Sequence, residues 1–382
     1  MGHINYCRNG EKMISFFYYT RNILGLILVI SPLAGFLYID YNFTLSMIFF
    51  CAFAAGVPLG SACYRLINFR LWTGFACTAA CLGALLLHGD NLWAGSGAQI
   101  IGIAFVGLYA GGLIAIVPAN LLISWFKASK TLLMGIVFST SIILGVPFAA
   151  FMERHTYPAL ALGLLAMLTG CLFCLQRPPL FLGMPVLYHD KKFKLMKRPT
   201  VIKLFIFVMA VSFAAGLSLF NSVTAKPFNH LISTELIFIL GLSAGAFAAG
   251  VISEFKSIYS GCILIIFLAE LSVFSFDGGS ASFQIYVNVF SQGMFLSAMT
   301  AVIPIAVYYI CGPADYNSCL CKVWAAFPLG LASAGALVFA GSASIGTSIL
   351  MSQKASICLM ALLIASFFTI FSTWKHRFVL LK

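Results

Sequence analysis

The chain has 382 residues, of which 62% are hydrophobic and 8% charged, with a mean hydropathy of +1.03. Such a composition leaves too little polar surface for a water-soluble globule, so the chain reads as an integral membrane protein. Its net charge of +12 falls in small groups between apolar runs rather than on one face, which excludes a nucleic-acid reader.

A helix that spans a bilayer needs about 20 mostly apolar residues, and twelve such runs are expected. They are continuous and too long for the alternating strands of a membrane barrel. The first, 20–38, follows Arg8 and Lys12, has Arg21 at its start and lacks a small-residue cleavage site, so it is kept as a helix rather than a signal peptide. Arg21 is read as a membrane anchor, with an anionic substrate as the lesser role. The second run, 43–64, leads through GSACYRLINFR at 60–70 into the third, 71–88. The fourth, 97–118, carries Tyr109 and Pro118. Trp125, Phe126, Lys127 and Lys130 then make a tight hairpin, aromatic at the interface and basic in the turn. In the fifth run, 131–152, Gly135, Ser139, Thr140, Ser141 and Gly145 allow close helix contact. The sixth is 158–176, with Cys171 and Cys174 inside it.

A long polar, basic stretch follows and divides the chain. The expected organisation is an N-terminal six-helix bundle at 1–176, a cytoplasmic central loop at 177–200 and a C-terminal six-helix bundle at 201–382. The seventh run, 202–221, places Ser218 and Asn221 near its outer end, with Ser222 just beyond it. The eighth, 233–253, holds Glu235 near its start and runs into GVISEFK at 250–256. The ninth, 258–276, contains Glu270. In the tenth, 282–310, Gln284, Asn288 and Gln292 recur every four residues with Ser291 beside them, so three amides share one face. The last two runs are 320–340 and 355–374.

Lysine and arginine test the count. With twelve crossings and a cytoplasmic N-terminus, all of the 22 Lys and Arg except Arg154, Lys226 and Lys354 fall on the cytoplasmic side, and both termini lie there. Internal echoes support two related halves: AFAAGV stands at 52–57 and at 246–251, and AIVP at 115–118 is matched by AVIP at 301–304.

Pro118, Trp125, Phe126, Lys127, Lys130, Gly135 and Gly145 together resemble the helix-four to helix-five hairpin of the major facilitator superfamily. The loop between helices two and three resembles that family's Gly-acid-Arg motif, keeping Gly60, Arg65 and Arg70 but with Tyr64 where the acid belongs. In the second half, Gly250, Glu254 and Lys256 retain glycine, acid and base. The family's paired-glycine antiporter signature is not met by GVPFAAF at 145–151, and its frequent helix-four arginine is absent. The resemblance implies an all-α protein of two six-helix bundles that moves a solute by alternating access. Its first, fourth, seventh and tenth helices would line the cavity.

On those helices the candidate substrate-binding residues are Gln284, Asn288, Gln292, Ser291, Tyr109, Ser218 and Asn221. Interhelical hydrogen bonding is the competing role for the amides, and local backbone bonding for the serines. Glu270 and Glu235 are candidates for proton coupling. The neutral lining suggests a small polar organic solute such as an amino acid, sugar or related metabolite, carried by a symporter or uniporter. No cofactor, metal site or catalytic residue is expected, because the cysteines lie mostly inside apolar runs and the histidines are scattered. The expected partners are the substrate and membrane lipid, with no nucleic acid, and the expected state is a monomer in a bacterial inner membrane. Two rival classes are a transporter-like sensor or scaffold and, with less support, an intramembrane enzyme.

Overall fold

The computed structural model describes residues 16–32, 43–67, 69–88, 96–126, 129–174, 199–224, 234–274 and 282–342. All regular structure among them is helical. The helices are α1 (Phe16–Pro32), α2 (Phe43–Leu66), α3 (Phe69–His88), α4 (Ser96–Ala115), α5 (Val117–Trp125) and α6 (Lys130–Arg154). They continue as α7 (Thr156–Phe173), α8 (Pro199–Thr224), α9 (Thr234–Phe255), α10 (Ile258–Phe274) and α11 (Ser282–Ser342). Nine stretches among the described residues are long and apolar enough to cross a membrane, and Phe16–Pro32 and Ile258–Ser272 are shorter apolar helices. Eleven of the twelve expected runs therefore fall on helices. The twelfth, 355–374, and most of the central loop lie outside the described residues.

Two boundaries differ from expectation. The fourth span runs on past Pro118 to Trp125, with a turn at Ile116 where the proline ring has no N–H to continue the ladder. The polar residues there do not end the helix because Asn120 Nδ2 donates to the Ile116 carbonyl (2.8 Å) and Ser124 Oγ to that of Leu121 (2.9 Å). The eleventh span begins at Asp315 rather than 320, so α11 is two spans joined end to end. They break at Gly312, whose φ of 72° and ψ of 170° suit a residue without a Cβ that precedes a proline.

α2 and α3, α5 and α6, α6 and α7, and α9 and α10 are each separated by only a few residues, so the members of each pair are antiparallel. Arg21, Arg65, Arg70, Lys130, Lys203, Lys256 and Lys322 consequently stand toward one end of the bundle, and Arg154 toward the other. Large apolar side chains such as Phe75, Leu82, Leu165, Ile206 and Phe267 point outward, as a lipid-facing surface requires.

Inside each half, helices approach backbone to backbone. A Cβ on Gly60 would meet Gly112 Cα at 2.5 Å, and one on Gly107 would meet the Phe49 carbonyl at 2.7 Å, so α2 and α4 interlock through small residues. The same kind of zipper joins α9 to the first span of α11, where Gly241 and Gly245 lie against the backbone of Phe290 and Met294, and Gly293 against that of Phe238. Gly250 does something else: it faces α6.

Candidate functional site

The amide stripe of α11 points into the C-terminal helices. Asn288 and Gln292 are each 3% exposed, and Ser218 of α8, Ser272 of α10 and Ser291 are equally buried. Asn288 Nδ2 donates both to Ser218 Oγ (3.0 Å) and to the Ser272 carbonyl. Gln292 Nε2 donates to Ser218 Oγ (3.0 Å) and to Asn288 Oδ1. Ser218 Oγ passes its own proton to the Ser272 carbonyl at 2.7 Å, while Ser272 and Ser291 bond carbonyls one turn back, at Ala269 and Asn288. Every amide proton of Asn288 and Gln292 is thus committed to a neighbour, and three helices are tied at one level. The side chains of Gln284, Asn221 and Glu235 lie outside the described residues.

Tyr109 does not join this cluster. It is buried between α3 and α4 with its ring 5.8 Å from Phe75, 6.0 Å from Phe105 and 6.2 Å from Trp72. Glu270 is half-buried, one turn from the end of α10. Arg21 donates to the Leu172 carbonyl at the end of α7 (2.9 Å) and lies over the Phe173 ring at 5.8 Å, so it braces α1 on α7.

Of the loop-motif residues, Gly250 and Glu254 lie on the seam between the two sets of helices, whereas Gly60 packs against α4 of its own half. Gly135 of α6 and Gly250 of α9 cross closely: a Cβ on Gly135 would meet the Ala246 carbonyl at 2.5 Å, and one on Gly250 the Thr131 carbonyl at 2.8 Å. Halfway along, Ser139 and Ser243 share a hydrogen bond of 2.8 Å. At the basic end, Ser129 opens α6 with φ 59° and makes no cap with its own hydroxyl. Glu254 supplies the cap from α9: Ser129 N–H donates to Oε1 (3.0 Å) and Thr131 Oγ1 to Oε2 (2.7 Å). A carboxylate placed there also complements the positive end of the helix dipole.

The second seam, α2 against the latter span of α11, is leaner. Ser61 Oγ donates to the Asn317 carbonyl at 3.2 Å. Lys256 and Arg70 are exposed, and the Arg65 side chain lies outside the described residues. Trp125 is not at a lipid interface but 4% exposed, packed edge-on against Tyr19 of α1 at 5.8 Å, with Phe126 5.1 Å from the same ring.

Cys77 and Cys171 bring their sulfurs to 3.7 Å between α3 and α7, and no group of three or more metal-ligating side chains gathers among the described residues. Sequence reasoning passed over Ser61 and Ser272, and it read Lys130 as a topological anchor. Serines are too common in membrane helices for the first two to stand out, and nothing local marks the third.

No protein-family model matches the chain, and no curated protein matches it. Among solved structures, the human organic anion transporter MFSD10 (TETRAN) is similar at a TM-score of 0.61 and 11% identity, covering 94% of this chain and 99% of that one. At that identity the likeness establishes a shared fold, the one the sequence resemblance implies.

Proposed function

We propose that the chain is a multi-pass membrane transporter that moves a small, uncharged polar organic solute by alternating access of two six-helix bundles. The observation that carries this reading is the seam. Within each half, helices lock through backbone-to-backbone glycine zippers, joined in the second half by the buried amide network. Between halves, the polar and close backbone contacts among the described residues include a glycine crossing, single hydrogen bonds and a carboxylate cap, which can part and be remade. Rigid halves with a separable seam are what rocking about a central site requires.

By the positive-inside rule the basic end faces the cytoplasm, so the conformation described is closed inward, with both termini inside a cell membrane, bacterial by our reading. The chain works as a monomer in this proposal. The substrate class follows from charge. The described residues of α4 and α5, and of α11 up to Gly312, include no charged side chain, and those of α1 and α8 include only Arg21 and Lys203, near the basic end. A buried anion would need a fixed cation at mid-depth. The similar solved structure carries organic anions; this chain is better suited to a sugar or another neutral metabolite. Proton coupling through Glu270 or Glu235 is a further part of the proposal, resting on their place in predominantly apolar helices.

Two measurements test it. Purified protein is screened by thermal shift against neutral, zwitterionic and anionic metabolites, since a ligand of the folded state raises the melting temperature. The compounds that stabilise are then offered to proteoliposomes. Stabilisation and uptake of neutral solutes are expected. Stabilisation by anions alone overturns the substrate class, and stabilisation without uptake favours the sensor reading.

A further inference from the structure

Lys130 is the first residue of α6 and is 7% exposed, an unusual burial for a lysine. The start of a helix repels a cation, so the helix it belongs to does not explain its place. The explanation lies across the seam. Its ammonium stands 4.6 Å from the centroid of the Tyr308 ring and 6.0 Å from that of Tyr309, both at the basic end of the first span of α11. Tyr316, buried just beyond the Gly312 break, meets Tyr308 edge-on at 5.8 Å and holds that ring in place. The residues on either side of Lys130 are those gripped by Glu254. One turn of the first half is therefore held by two helices of the second, through a carboxylate from α9 and through aromatic faces from α11.

We propose that Lys130 is a positioning residue of the transport cycle, its ammonium on the Tyr308 and Tyr309 rings latching the basic end of the seam shut. Desolvation strengthens a cation on a ring face. When the halves part, the same ammonium regains water, which offsets the lost contact, so closed and open states stay close in free energy. An apolar side chain there would lack that compensation on opening and would lack the ring attraction on closing. The latch rests on the transporter reading for its purpose, but its existence is measurable without a substrate.

The test is hydrogen–deuterium exchange of the full chain in lipid nanodiscs, read at peptides covering 129–135 and 250–256. Lys130→Met and Tyr308→Leu are each expected to speed exchange in these peptides about tenfold while leaving those within α3 and α7 unchanged. Lys130→Arg and Tyr308→Phe, which keep a cation and a π face, are expected to retain protection. Unchanged protection in Lys130→Met and Tyr308→Leu would overturn the latch. So would a loss in Tyr308→Phe equal to that in Tyr308→Leu, which assigns the contact to the hydroxyl, or faster exchange across the whole chain, which makes Lys130 a general packing residue. A confirmed latch in a protein that moves no solute would leave this inference standing and remove the transporter reading.

Discussion

At 52–57 the hexapeptide AFAAGV packs within its own half: Val57 is fully buried, and Gly56 lies against the backbone of Leu108 on α4. At 246–251 the same six letters serve the seam, where Ala246 and Gly250 meet Thr131 and Gly135 of α6 while Phe247 turns outward, 51% exposed. The positions that repeat the α2–α4 zipper in the second half are Gly241 and Gly245 instead. Identical sequence thus supports a contact inside one half and a contact between the halves, and in the proposed cycle only the second has to open. The difference lies in what surrounds each. Around Gly56 the neighbours are apolar and continuous with the core; around Gly250 they are a hydroxyl pair, a capping carboxylate and a lysine on aromatic rings.

If this contrast holds, one methyl group should have unequal effects at the two places. Gly56→Ala drives a Cβ into the Leu108 carbonyl, between helices that cannot separate, and is expected to cost about 3 kcal/mol or more, with most of the monodisperse protein lost. Gly250→Ala meets backbone too, but α6 and α9 can part, so melting temperature should fall by less than half as much while exchange at the seam rises. Equal losses of folded protein from the two variants would erase the distinction.

The amide network sharpens the same comparison from inside one half. Asn288→Ala and Gln292→Ala each strand a buried hydroxyl or amide and are expected to destabilise by about 1–2 kcal/mol, seen as a lower melting temperature in detergent. Uptake affinity in the surviving protein should be normal. An affinity loss without a stability loss would instead support the substrate-binding role that their place on α11 suggests.

Smaller effects belong to the seam. Glu254→Gln keeps one acceptor, for the Ser129 N–H, puts an amide donor beside the Thr131 hydroxyl and removes the charge that faces the helix start, for about 0.5–1 kcal/mol, and Glu254→Ala should cost more. Amide exchange at 129–131 reads this directly, and equal behaviour of the two variants would count against capping. Ser61→Ala, on the leaner seam, is expected to change stability by about 0.5 kcal/mol or less. A larger loss there would mean that the α2–α11 seam, not α6–α9, carries the closed state.

The helices and their order were legible from residues alone because hydrocarbon leaves a backbone no water to bond, so every long apolar run must satisfy itself as a helix. The hairpin at Trp125 and Lys130 was legible for the same reason, being a place where the apolar run stops. Which way each helix turns about its axis was not. That rotation decided that the amides of α11 meet Ser218 and Ser272 rather than an open space, and that Tyr109 faces α3. It also put Glu254 on a helix start more than a hundred residues away in sequence, and Lys130 on tyrosines of another half. Apolarity and length act locally and are written in consecutive residues. Rotation and crossing depend on small residues matching across two helices at once, and that matching exists only when the helices are packed.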